Sequence, residues 1–275
     1  MFSISILALS LLGDPTAPAF KVPVITVHSK EFAFDMPKTI AAGPTMFRLV
    51  NDGKEFHQVS IVKLELGKTA ADYAEAMKSG GNTGWAVNVG GPNAASPGQT
   101  IAATVTLEPG TYVAVCFIPS PGEQIPHAAK GMVAEFSVTP AGVTQAGAAA
   151  VETAPDPQPD VHLEMKEYGY QFSKPITAGK HTVHVMNQGA QPHEAIMLRL
   201  TPGKHLSDFT AWAESMQGPP PAMTVDGMAA MAKGRTGVFT ADFTPGTYAI
   251  ICYVGDATDH RPHADHGMMV EFEVK

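Results

Sequence analysis

One histidine, one cysteine, a second histidine and a methionine occur twice in this chain at the same spacing. The first set is His57, Cys116, His127 and Met132; the second is His193, Cys252, His263 and Met268. These side chains divide the work of holding a soft, redox-active ion. A deprotonated cysteine bonds covalently to copper, two neutral imidazoles suit both Cu(I) and Cu(II), and a weakly held thioether raises the potential. Together they form the donor set of a type 1 (blue) copper centre, which moves single electrons. Taken singly, each has a bland account: a core histidine, a gap-filling methionine, a cysteine acting as a small hydrophobe. Four residues spaced alike twice, with most of the intervening sequence changed, argue for ligands.

The elements that must position them repeat as well. Adding 136 to a first-half position lands on its counterpart: Glu31 on Glu167, Asn51-x-Gly53 on Asn187-x-Gly189, Pro109-Gly110-Thr111-Tyr112 on Pro245-Gly246-Thr247-Tyr248. The offset never slips, so the halves share one fold with no net insertion. Short runs rich in β-branched and aromatic residues predict strands over 22–28, 46–51, 57–64, 100–107, 111–117 and 132–138. A helix is predicted over 69–79, with its counterpart over 206–216. Many short strands and one helical insertion per half read as an all-β chain of antiparallel sandwiches.

The segments Asn51-Asp52-Gly53-Lys54-Glu55-Phe56-His57 and Asn187-Gln188-Gly189-Ala190-Gln191-Pro192-His193 resemble the approach to the first ligand in cupredoxins of the plastocyanin/azurin type. The Gly-Thr-Tyr strand before each cysteine and the His-x4-Met after it are similar too. The resemblance covers 22–138 and 161–275, and it implies two tandem cupredoxin-like Greek-key β-sandwiches. It also implies one copper per domain, on the eight residues named above, and a redox protein as partner. Three departures stand out. Ten residues separate each cysteine from its second histidine, as in copper nitrite reductases and unlike plastocyanin. Gln58 or Glu194 follows the first histidine where plastocyanins often carry Asn, and Phe56 replaces the expected Pro.

Residues 139–160 are rich in Ala and Pro, without aromatic or basic residues, and read as a linker between domains 20–138 and 161–275. The apolar run 2–12, followed by Ala17-Pro18-Ala19, reads as a secretory signal over 1–19, which places the protein in the periplasm or outside the cell. No run is long enough to span a bilayer. A formal charge of −8 leaves no basic footprint for nucleic acid.

The leading expectation is an exported electron carrier, with copper storage or delivery as the alternative on the same ligands. A two-domain copper oxidase or nitrite reductase, which the layout resembles, is a less favoured third, and a copper-free sandwich for partner binding a fourth. His-x-His pairs, which build the catalytic cluster of multicopper oxidases, do not occur, so the chain is expected not to be an enzyme. Pro126, Ala128, Ala129 and Gly131 suggest an apolar collar where the redox partner docks near His127. A Cys116–Cys252 disulfide would join two separate sandwich ends and is disfavoured. His260, His263 and His266 recur every third residue, as a possible second metal site or a polar loop. Met216, Met223, Met228 and Met231 suit either Cu(I) capture or core packing. His181 and His184 are expected on opposite faces of a strand.

Overall fold

The computed structural model describes residues 20–79, 83–123, 125–142 and 152–275. The signal reading of 1–19 and the middle of the linker therefore lie outside the described residues. The first half holds β1 (Lys21–Lys30), β2 (Ala33–Asp35), β3 (Thr39–Ala41), β4 (Gly43–Asn51), β5 (Ser60–Leu64), α1 (Ala70–Ser79), β6 (Ala86–Gly90), β7 (Thr100–Leu107), β8 (Gly110–Val115) and β9 (Val133–Thr139). After β10 (Thr153–Pro155) the second half holds β11 (Val161–Lys166), β12 (Gly169–Phe172), β13 (Gly179–Asn187) and β14 (His193–Leu200). It continues with α2 (Leu206–Ala213), β15 (Ala222–Met231), β16 (Thr236–Phe243), β17 (Gly246–Ile251) and β18 (Met269–Val274). The predicted strands and helices are present, with ends moved by a few residues.

Period-two burial explains the strands: in β4, Thr45, Phe47, Leu49 and Asn51 point inward while Met46, Arg48 and Val50 are half-exposed. The strands build two tandem cupredoxin-like sandwiches whose sheets are continuous. One sheet runs β10-β1-β4-β7-β16-β13-β11-β12 and the other β18-β17-β14-β15-β6-β5-β8-β9-β3. In the first sheet the halves meet where β7 pairs antiparallel with β16, Ala103 opposite Phe239. These two are counterparts at the offset of 136, so the seam carries an approximate twofold. In the second sheet Met231 of β15 pairs with Val89 of β6. Each seam strand would otherwise be an exposed edge open to chance pairing.

The main apolar core crosses the seam, with Phe47, Tyr112 and Phe136 from one half and Met165, Phe239 and Tyr248 from the other. Across the seam Gln99 Nε2 donates to Thr224 O at 2.9 Å and Thr224 Oγ1 to Gln99 Oε1 at 2.7 Å. The end of the linker is more than a spacer. Residues 153–155 add β10 to the edge of β1, and Glu152 takes both guanidinium arms of Arg48 at 2.7 and 2.8 Å. Among the described residues no helix is long and apolar enough to cross a membrane.

Candidate metal centres

Three devices bring the two histidines and the cysteine of each half together at one end of its sandwich. The first is an asparagine bracket at the end of β4 or β13. Asn51 accepts from the Gly53 N–H at 2.9 Å and donates to Glu55 O and Ala95 O at 2.8 and 2.9 Å. Asn187 does the same for Gly189, Gln191 and Met231. The repeated glycine is a space requirement: a Cβ at Gly53 would sit 2.8 Å from His57 Nε2, and one at Gly189 2.5 Å from His193 Nε2.

The second device places the residues after each first histidine. Gly91 and Gly227 have φ of 130° and 149°, and a Cβ at either would collide with the carbonyl of Val59 or Ala195. Only glycine allows the neighbouring chain to come this close in that conformation. The third device is a 3-10 turn, His127–Lys130 or His263–His266, closed by Gly131 or Gly267 in the left-handed region. It returns the chain so that Cys116 N–H meets Met132 O and Cys252 N–H meets Met268 O. The spacing His-x4-Met is the length of that return.

The outcome is the same twice. His57 Nδ1 and His127 Nδ1 lie 3.2 Å apart, with Cys116 Sγ 4.0 and 3.4 Å from them. His193 Nδ1 and His263 Nδ1 lie 3.0 Å apart, with Cys252 Sγ 3.5 Å from His263 Nδ1. All six side chains are fully buried, as are Met132 and Met268. Each sulfur also accepts a backbone N–H, from Gln58 or Glu194, at 3.5 Å.

Burial lowers all four imidazoles, His57 to about 4 with help from the neighbouring His127. They are neutral at pH 7 and have a lone pair to give. Burial pushes the Cys116 thiol up to about 12 and Cys252 higher still. A thiolate in such a place needs a cation beside it. Two neutral nitrogens and one sulfur converging in a dry pocket fit a soft ion that takes imidazole and thiolate together, one copper per half.

The outer edges of the rings meet carboxylates. Glu55 accepts from His127 Nε2 at 2.9 Å and Glu167 from His193 Nε2 at 3.1 Å. Glu31 lies 3.6 Å from His57 Nε2. Burial pushes the Glu31 carboxyl up, but the N–H groups of Lys54 and Glu55 outweigh this and hold it at about 2. The second half is not a copy. Gln191 stands in the place of Glu55 and donates to Asp256, whose Oδ2 lies 3.9 Å from His263 Nε2 and also accepts from Tyr168. The acid has moved to the other loop.

No protein-family model matches the chain, and no curated protein matches it. Solved structures do. Dithionite-reduced auracyanin from Roseiflexus castenholzii is 26% identical, covering 43% of this chain and 98% of its own, with a TM-score of 0.30. Copper nitrite reductase from Nitrosomonas europaea is 15% identical over 92% of this chain and 93% of its own, TM-score 0.26. Blue copper oxidase from the same organism is 13% identical over 92% and 77%, TM-score 0.23. The chain is similar to these proteins over the stretches given, and its own strands build two tandem cupredoxin-like sandwiches.

The expectation that this cupredoxin-like chain is not an enzyme is corrected by the same comparison. The structures that run along 92% of it are named as a nitrite reductase and an oxidase, which are enzymes. The expectation rested on the absence of His-x-His pairs, which excludes one arrangement of ligands along a strand and not catalysis as a whole.

Other sequence candidates separate. His181 points inward to Asp160 at 2.6 Å while His184 points outward, on opposite faces as expected. Met228 and Met231 are buried together in the core at the seam, whereas Met223 is exposed. Both cysteines are free thiols. Asp256, Asp259 and His266 come within 4.8 Å of one another, but the oxygens of Asp256 already serve Tyr168, Gln191, Thr258 and Asp259. Trp85 packs on Tyr73, and Trp212 crosses to Phe56, next to His57. The apolar collar near His127 is not a flat surface: His127 is fully buried and Ala128 packs in a small core with Tyr73 of α1.

Proposed function

We propose that this chain is an exported electron-transfer protein with a type 1 copper centre in each half. The ligands are His57, Cys116, His127 and Met132 in the first, and His193, Cys252, His263 and Met268 in the second. The observation that carries this reading is the repeated convergence of two Nδ1 atoms and one Sγ in a fully buried pocket. Copper bound there supplies a one-electron couple. The chain supplies a braced coordination sphere: the asparagine brackets and close-packed glycines hold the chain around each first histidine, and carboxylates reach the ring edges. Water is excluded, which limits reorganisation around the changing charge.

A redox partner would dock at the end of the first sandwich, over Phe32 and Ala129 rather than Ala128. The Phe32 ring lies 4.9 Å from the His127 ring, is half-buried, and carries the Lys130 ammonium 4.7 Å from its centroid, giving a short route outward through one aromatic ring.

The test is a visible absorption spectrum of the Cu(II)-reconstituted protein beside Cys116→Ser and Cys252→Ser. An intense thiolate-to-copper band, about halved in each single variant and absent from the double, is expected if the two centres absorb alike. No band with Cu(I) still bound would replace this reading with copper storage or delivery. No copper in either state would end it.

A further inference from the structure

We propose a third metal site, for an exposed Cu(II) ion, on the outer face of the second sandwich, formed by His162 and His184. The two residues sit directly opposite each other on the parallel strands β11 and β13. Their inward neighbours Val161, Leu163, Val183 and Val185 fill the core, so both imidazoles stand on the solvent side of the sheet. Nδ1 faces Nδ1 at 3.4 Å, with ring centroids 5.4 Å apart and planes at 71°. The histidine pairs of the two buried centres have the same form, with Nδ1 separations of 3.2 and 3.0 Å and centroids 4.9 and 4.7 Å apart.

The first half shows what this place on the sheet holds when it has no imidazoles. The counterparts are Thr26 and Arg48, again in register, and Arg48 is clamped by Glu152. In the second half that clamp is replaced by two nitrogen donors, His162 exposed and His184 half-buried. The nearby carboxylates are already taken: Asp160 by His181, Lys174 and the Thr182 N–H, and Glu164 by Lys166. The site therefore offers two imidazoles and open positions for water. Burial, and then His162 beside it, lowers His184 and keeps it a neutral donor. Among divalent first-row ions an open nitrogen site binds Cu(II) most strongly, and without a thiolate it is not a blue centre.

The test is a Cu(II) titration of the full chain with its buried centres already filled, followed by electron paramagnetic resonance and calorimetry. A further equivalent is expected, with a non-blue signal showing imidazole nitrogen coupling. It should be lost in His162→Gln and in His184→Gln while the blue band is unchanged, which reports that the variants fold. An Asp259→Asn/His266→Gln double variant should keep it. No further equivalent, or one that persists in both single variants, overturns the proposal; that result would leave His162 and His184 as a simple N–H···N pair. Failure of the buried centres reads out separately, as a missing blue band in the parent protein.

Discussion

Asn93 of the first half donates to Glu194 of the second, Nδ2 to Oε2, at 3.1 Å. Glu194 follows His193 of the second His-Cys-His group, is buried, and its other oxygen accepts at 2.9 Å from the N–H of Tyr253, the residue after Cys252. Burial raises this carboxyl above its usual range. A side chain of one sandwich thus completes the wall of the other sandwich's metal centre. Asn93 also donates to Met228 O at 3.1 Å, on the seam strand β15.

Removing that amide should therefore be felt in both stability and the second centre. Asn93→Ala leaves a buried carboxyl and a buried carbonyl short of a donor, a loss of about 1–3 kcal/mol. Urea unfolding with an unchanged slope measures it. The blue band assigned to the second half, seen alone in a Cys116→Ser background, should shift or weaken. An unchanged midpoint would mean that water replaces the amide without cost.

The carboxylate on the edge of each ligand ring should hold copper in place. Glu55→Ala frees His127 Nε2, now 2.9 Å from its acceptor. Loss of such a partner lowers metal affinity by roughly 10–100-fold. Competition with a chelator, followed through the blue band in a Cys252→Ser background, reads the first centre alone. Equal retention in the variant and its parent would show that packing alone orients the ring.

The two His-Cys-His groups that the fold gathers were legible because their types and spacing recur while the rest of the chain diverges. Glu31 and Glu167 were visible as repeats, but nothing in spacing says that they reach an imidazole edge. Glu55 and Asp256 were hidden because the second half moves the acid from one loop to the other. The strands β6 and β15 were missed: Ala, Asn, Gly and Met are weak strand formers, and these strands are held by pairing with β5 and β14 of their own halves. The pairing of His162 with His184 was illegible for a related reason, since register between parallel strands is set by the core and not by distance along the chain.

Gly227 tests the close approach that sets the second ligand strand. With φ at 149° and the Ala195 carbonyl in the place of a Cβ, Gly227→Ala adds backbone strain and forces β14 away from β15. A cost of about 2–3 kcal/mol is expected from the strain alone. Ala195 is two residues beyond His193, so the second blue band should fall before the first as the variant is warmed. Loss of both bands together at an unaltered midpoint would show that the strand pair tolerates the methyl group.

Asp226 gives the seam a pH dependence opposite in sign to that of the surface ion pairs. It is buried, and burial outweighs the N–H groups of Gly227 and Ala102, so its carboxyl stays protonated well above the usual carboxylate range. In the unfolded chain it ionises near pH 3.9. Between that value and its raised folded value the native state holds one proton more than the unfolded state, so stability falls as pH rises. Below about pH 4 both states are protonated and the effect is gone. Asp226→Asn should therefore gain stability over the parent progressively from about pH 4 upward, with little difference at the acid end. Thermal or urea midpoints of both proteins across that range decide it, and parallel profiles would show that Asp226 finds a cation or water that keeps it ionised in the fold.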